Sequence, residues 1–187
     1  MGSLYPLEHL QTPVSGIGAL HASGRFNVKG DHEHRVTYLA EHPHVSMREF
    51  RYTTASAQEN APDHEPAVAV PPVVIFSVTF NLTRVLDLTD QRIRGRIELK
   101  MTELTGHWWL DNYEGEEAVT QVLSRFAFNT ERFDAIKYES ARIGTTGRSA
   151  INRTCYAVFP DRLQKPAFLS VEPSKAGIPE GATYVIP

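Results

Sequence analysis

GRFNVKGDHEHRVTYLAEHPHVSMRE, residues 24–49, sets the terms on which the rest of the chain folds. Gly24 and Gly30 bracket a turn that carries Arg25, Asn27 and Lys29. Val36 to Ala40 (VTYLA) has the β-branched and aromatic composition of a short strand. His42 and Pro43 mark a polar turn. Residues 44–54 then read as a helix that touches the core through Val45, Met47 and Phe50 and carries Arg48 and Glu49. This succession leaves a guanidinium, a phenol and a carboxylate (Arg25, Tyr38, Glu49) at the ends of successive short elements, where they can converge on one cleft.

On the N-terminal side, residues 1–19 contain Pro6, Pro13, Gly16 and Gly18 and read as an arm. On the other side, ASAQENAPDHEPAVAVPP (55–72) is loop-like, with four prolines and several acids. VVIFSVTF (73–80) is the most strand-like run in the chain, of the kind that suits a buried sheet, and VLDL (85–88) predicts another strand. Thr89 and Asp90 supply N-cap chemistry for a helix through about Leu104, interrupted by Gly95. Ala118, Val119, Val122, Leu123 and Phe126 recur at i, i+1, i+4, i+5 and i+8, one apolar face of an amphipathic helix over 116–128. FDAIKY (133–138) alternates as a half-buried strand, RTCYAVF (153–159) is the last core strand, and 161–187 reads as a tail packed on the domain.

Strands outnumber good helices and do not alternate with them, which predicts α+β rather than a doubly wound fold. The expected form is a compact mixed sheet, mainly antiparallel, with flanking helices and one catalytic or binding domain over 20–160. Neither GxGxxG after a strand nor a Walker A sequence is present, so a bound nucleotide would not be held by either phosphate loop.

With 187 residues, 41% of them hydrophobic, the chain can bury the core of a single domain. A net charge of −3 argues against broad nucleic-acid or anionic-membrane binding. The lone Cys155 lies in the apolar run CYAVF, so no intrachain disulfide can form and a buried thiol is expected. The opening MGSLYPLEHL lacks the basic and apolar regions of a secretory leader, and no apolar run spans a membrane. A cytoplasmic location is the expectation.

His32, His34, His42 and His44 form two HxH pairs, a spacing that zinc or iron can use on a strand. Both lie in polar turn sequence and no second ligand cluster accompanies them, so solvated turn histidines are expected and no metal site is assigned. Trp108 and Trp109 could stack on a base or a sugar, although a core anchor is the commoner use of such a pair. Arg25, Asn27 and Lys29, with the backbone amides of their turn, suit a diphosphate, to which Arg gives bidentate hydrogen bonds. Glu49 has a plainer reading as a helix-surface carboxylate paired with Arg48 or Arg51. Tyr138, Ser140 and Arg142 stand where FDAIKY ends, a common lining for a cleft. No Ser-His-Asp or Cys-His logic makes Ser140 a nucleophile, so a binding role fits it better.

At these residues the sequence resembles the RES domain family, whose members are mostly toxins of bacterial toxin–antitoxin pairs that degrade NAD+. The resemblance is carried by GRFN (24–27), TYLAEHP (37–43) with Glu49, VLDLTD (85–90), TQVLSRFAF (120–128), FDAIKYESAR (133–142) and CYAVFP (155–160). The family arginine falls on Arg25, its tyrosine on Tyr38, its glutamate on Glu49 and its serine on Ser140. The sequence departs from the family at Cys155, where a polar residue is usual, and in the longer 55–72 stretch. The resemblance implies a fold related to the mono-ADP-ribosyltransferases and cleavage of the nicotinamide–ribose bond of NAD+. Inorganic phosphate is the implied acceptor, giving ADP-ribose-1″-phosphate and nicotinamide, as in an NAD+ phosphorylase; plain hydrolysis would make the protein an NAD+ glycohydrolase. No prosthetic group is called for. Arg25, Tyr38, Glu49 and Ser140 would be catalytic, with Asn27, Lys29, Arg48, Tyr138 and Arg142 binding substrate. A helix-turn-helix antitoxin blocking the cleft is the implied partner, with no direct nucleic-acid contact. The alternatives are a mono-ADP-ribosyltransferase that modifies a macromolecule and a non-catalytic nucleotide-sensing module.

Overall fold

A computed structural model of the chain describes residues 14–49, 77–141, 152–171 and 184–186. In chain order the elements are α1 (Gly18–His21), β1 (Thr37–Ala40), α2 (residues 43–49), β2 (Val78–Asn81), β3 (Val85–Asp87), α3 (Gln91–Arg96), α4 (Met101–Thr105), α5 (Trp108–Tyr113), α6 (Val119–Asn129), β4 (Ala135–Glu139), β5 (Thr154–Val158), β6 (Phe168–Val171) and β7 (Tyr184–Ile186). The fold is α+β, as the sequence predicts. One sheet has the order β1-β5-β4-β3, antiparallel except for the parallel β3–β4 pair, and the other has the order β2-β6-β7. β3 and β4 can lie parallel because four helices, α3 to α6, make the crossover between them.

Register gives the first sheet two different faces. Tyr38 pairs with Ala157 and Ala40 with Cys155 on one side of β5, while Ile136 pairs with Ala157 and Tyr138 with Cys155 on the other. Directly paired residues project to the same side, so these rows form a front face that packs with Phe26, Val45, Leu88 and Phe159. The alternate rows (Leu39, Tyr156, Val158, Ala135) form a back face that packs with Val78, Phe80, Leu169 and Val171 of the second sheet. Buried side chains on both faces explain why β5 reads as a near-continuous apolar run, while β4, expected to alternate, buries Ala135, Ile136 and Tyr138 and leaves Lys137 and Glu139 half-buried.

The structure departs from the sequence reading at several places. Asp90 caps its helix as expected, accepting from Arg92 N, but the helix stops at Arg96 and a separate one starts at Met101. Between them Glu98 takes a left-handed backbone (φ 56°) that turns the chain. Within 73–80 the described strand begins at Val78; residues 73–76 lie outside the described residues, as does the 55–72 loop, and β2 is an edge strand among the described residues, with alternating burial. Past Pro160 the chain supplies β6 and β7 to the second sheet, not only a tail. Residue 50 and those following it lie outside the described part of the 44–54 helix, while Val45 is fully buried as predicted.

The inward face of α6 is also rotated from the expected one: Ala118 is buried and Leu123 packs on the core as expected, but the other three do not. Val119, Val122 and Phe126, assigned to the apolar face, are 49%, 53% and 67% exposed, while Thr120, Gln121, Ser124, Ala127 and Phe128 are buried. The inward side is polar because it must satisfy other buried groups: Gln121 donates to the backbone of the 24–27 turn, and Ser124 Oγ lies 3.1 Å from His34 Nε2. His34 is therefore no solvated turn residue. It is buried, with its ring packed on Phe128 and Phe159.

Burial lowers the pKa of His34 to about 4, against the partial opposition of Asp31. The imidazole is thus neutral in the folded protein, whereas in the unfolded chain it takes up a proton below about pH 6.5. Stability is fully present above that pH and is lost as pH falls from about 6.5 towards 4, by roughly 2–3 kcal/mol from this residue. Denaturant unfolding at pH 7 and pH 4.5 should give a clearly smaller acid loss in His34→Gln than in the native sequence. Equal losses in the two would remove His34 as the cause.

No helix among the described residues is long and apolar enough to cross a membrane.

Candidate active site

A cleft opens on the front face of the first sheet, lined by Arg25, Tyr38, Ser46, Glu49, Trp108, Tyr138 and Cys155, with Gly24, Leu39 and Ala40. Its floor follows from register, since Ala40, Cys155 and Tyr138 sit side by side across three strands. Its walls are the 24–27 turn, the C-terminal part of α2 and the start of α5.

The turn is built from both of its ends. Gly24 N donates to Asn27 O (3.0 Å) and Asn27 N to Gly24 O (3.3 Å), so Arg25 and Phe26 occupy the corner. Phe26 is fully buried, with its ring 4.7 Å from that of Tyr138. The Tyr38 hydroxyl accepts from Phe26 N (2.8 Å) and donates to Asn27 Oδ1 (2.9 Å). Asn27 Nδ2 donates to the carbonyls of Ala19 and Ala22, which ties the turn to α1. From below, Gln121 Nε2 donates to the carbonyls of Gly24 and Asn27. Nothing in the sequence marks Gln121, because apolar periodicity alone sets the expected face of its helix.

Gly24 is required by space. A Cβ there would lie 2.7 Å from both Tyr38 Oη and Asn27 Oδ1. Both atoms are held by hydrogen bonds and cannot retreat cheaply. Gly24→Ala is accordingly expected to cost about 1–3 kcal/mol and lower Tm by roughly 3–10 °C. Thermal unfolding followed by circular dichroism checks this, and a shift under about 1 °C would mean that the turn relaxes freely.

Glu49 stands on α2 three residues from Ser46, so both face the cleft while Arg48 points to solvent. Ser140 Oγ donates to Glu49 Oε1 at 2.5 Å, joining residues 91 apart in the chain. Ser140 is 2% exposed, just past the end of β4. Glu49 is therefore more than a plain surface carboxylate: it lines the cleft and accepts from a buried hydroxyl, while Arg51, one of its expected partners, lies outside the described residues.

The other expected site residues divide clearly. Arg25, Tyr38, Glu49 and Tyr138 line the cleft, and Ser140 reaches it through Glu49. Asn27 is buried, with both ends of its amide used within the protein, so it shapes the turn. Lys29 and Arg48 are exposed and outside the lining. Arg142 lies outside the described residues. Trp108, read as the commoner core anchor, lines the cleft.

Burial raises the pKa of Tyr38 and of Tyr138, and pushes the Cys155 thiol up to about 12. At neutral pH all three are uncharged. Among the described lining residues Arg25 brings the guanidinium and Glu49 the carboxyl group, beside the aromatic side chains of Tyr38, Trp108 and Tyr138. Such a site suits a ligand that brings negative charge to one end and develops positive charge at the other. Among the described residues no group of three His, Cys, Asp or Glu side chains is placed to hold a metal ion.

The family model described as RES domain matches residues 4–177. No curated protein and no solved structure matches the chain.

Proposed function

This chain belongs to the RES domain family, and on that premise we propose that its cleft binds NAD+ and cleaves the nicotinamide–ribose bond. The observation that carries the reading is the Glu49 carboxylate, held at 2.5 Å by Ser140 in a cleft it shares with Arg25 and two tyrosines. Breaking the C1″–N bond returns its electron pair to the pyridinium nitrogen, so nicotinamide leaves as a neutral molecule and needs no strong general acid. The ribose becomes oxocarbenium-like, as in glycoside hydrolysis. A fixed carboxylate stabilises that charge and orients a ribose hydroxyl. Arg25 supplies positive charge for the diphosphate or for an incoming phosphate. Attack of inorganic phosphate on C1″ forms the new C–O bond, giving ADP-ribose-1″-phosphate, and the remaining phosphate proton is released to solvent.

Phosphorolysis, a toxin role and a helix-turn-helix antitoxin that plugs the cleft are the finer parts of this reading and rest on the family. Kinship of the sheet with the mono-ADP-ribosyltransferase fold belongs to the same reading. The test is to incubate the purified protein with NAD+, with and without phosphate, and to identify products by mass. Nicotinamide with phosphorylated ADP-ribose, formed only when phosphate is present, is the expected result. Free ADP-ribose would make the protein a hydrolase, and ADP-ribose attached to protein would make it a transferase. NAD+ left intact under all conditions would sink the reading.

A further inference from the structure

Arg25 is bound to the protein as well as facing the cleft. Its Nη1 donates to the carbonyls of Leu104 (2.5 Å) and Gly106 (3.1 Å), some eighty residues away. These carbonyls lie at the last turn of α4 and at the corner into α5, where helical hydrogen bonding has run out and acceptors need outside donors. A cation also suits that end of a helix. The same corner is confined from the other side, since a Cβ on Gly106 would lie 2.8 Å from Thr102 O. Two residues further on, at the first position of α5, stands Trp108, the large flat side chain of the cleft wall.

We propose that Arg25 is a positioning residue for Trp108, and that Trp108 is the wall against which a planar heteroaromatic ring of the ligand stacks. The identity of that ring as a base of NAD+ rests on the function proposed above; the coupling of Arg25 to Trp108 does not. Arg25 thereby has two tasks: its charge faces the cleft, and its Nη1 fixes the α4–α5 corner. A lysine ammonium carries the same charge on a single nitrogen at the end of a shorter, more flexible stem, and so serves the two tasks together less well.

The chain has two tryptophans, so Trp109→Phe leaves Trp108 as the sole reporter. In that background and without ligand, Arg25→Ala is expected to raise the acrylamide quenching constant of Trp108 about twofold, and Arg25→Lys by less. Circular dichroism at the same temperature confirms that each variant is folded, and Arg25→Lys decides the matter if Arg25→Ala is not. Unchanged quenching in a folded Arg25 variant would overturn the positioning role. With NAD+ the Trp108 emission is expected to fall by about half at saturation. Trp108→Ala should raise the apparent KM about tenfold, with kcat moved less, and Trp108→Phe should restore most of it, because stacking on one aromatic ring contributes on this scale. NAD+ that is cleaved with no change in Trp108 emission would overturn the wall and leave the proposed function standing. If NAD+ were neither bound nor cleaved, the proposed function would fall instead. Nicotinamide and adenosine monophosphate would then decide the wall: quenching by either sustains it, and quenching by neither overturns it.

Discussion

Glu49→Gln is expected to lower the rate of NAD+ cleavage by roughly 10²–10³-fold while leaving the apparent affinity for NAD+ little changed. The substitution is nearly isosteric and keeps an oxygen that can accept from Ser140 Oγ, so the shape of the cleft is preserved. What it removes is the negative charge, and that charge matters most once the ribose carries positive charge. An interaction made mainly in the transition state appears in kcat rather than in KM. Single-turnover rates and equilibrium binding measured on the same preparation separate the two effects. A variant that turned over as fast as the native sequence would remove Glu49 from the chemistry. Ser140→Ala is expected to act in the same direction but more weakly, since the carboxylate stays in place with one hydrogen bond fewer.

The largest effect on stability is expected from Asp134→Ala. Asp134 is fully buried, just before β4. Its Oδ2 accepts from Thr83 N, Thr83 Oγ1 and Arg84 N, and its Oδ1 from Arg84 Nε and Nη2. Its own amide donates to Arg84 O, and its carbonyl accepts from Phe159 N. One side chain thus joins the approaches to β3 and β4, while its backbone meets the end of β5. Removal strands two backbone amides and takes the counter-charge from Arg84, which keeps its bonds to the carbonyls of Glu131 and Arg162. Breaking a buried ion pair from one side costs about 3–5 kcal/mol. Arg84, 31% exposed, can still be hydrated, which places the expected loss near the lower end, at about 3 kcal/mol, or roughly 6–12 °C in Tm for a chain of this size. Asp134→Asn keeps acceptor capacity and should lose less. A loss below about 1 kcal/mol in the alanine variant, measured by chemical denaturation, would mean that the strands hold their places without this hub.

The two experiments read different levels of the same molecule. Glu49 stands in the cleft, and its loss should leave the melting temperature close to native. Asp134 lies outside the cleft lining, and its loss should lower activity only as far as the folded fraction falls.

Much of this protein is decided locally, and such features are legible in the chain. Asp90 caps a helix because an aspartate before a helical stretch satisfies an orphan amide two residues on, whatever surrounds it. FDAIKY and RTCYAVF form β4 and β5 because β-branched, aromatic and small apolar residues suit a sheet buried on both faces. The lone cysteine in such a run is buried for the same reason. Arg25, Tyr38 and Glu49 converge because turn, strand and helix follow one another with little chain between them.

The tertiary structure decided what depends on partners far away in sequence. Apolar periodicity gives α6 a moment but cannot say which residues must answer the hydrogen bonds of a turn 97 residues earlier, and Gln121 draws its own side inward at the expense of Val122 and Phe126. Asn27 resembles a ligand contact until its polar atoms are found satisfied by Tyr38 and by the carbonyls of Ala19 and Ala22. Glu49 could equally have been a surface carboxylate, and becomes a cleft residue only where α2 meets the end of β4 and Ser140 comes within 2.5 Å. Trp108 is drawn from a core assignment to the cleft by a corner that Arg25 holds and Gly106 allows. A buried polar group needs its partner wherever in the chain that partner lies, and that requirement, which acts through space, assembled the site.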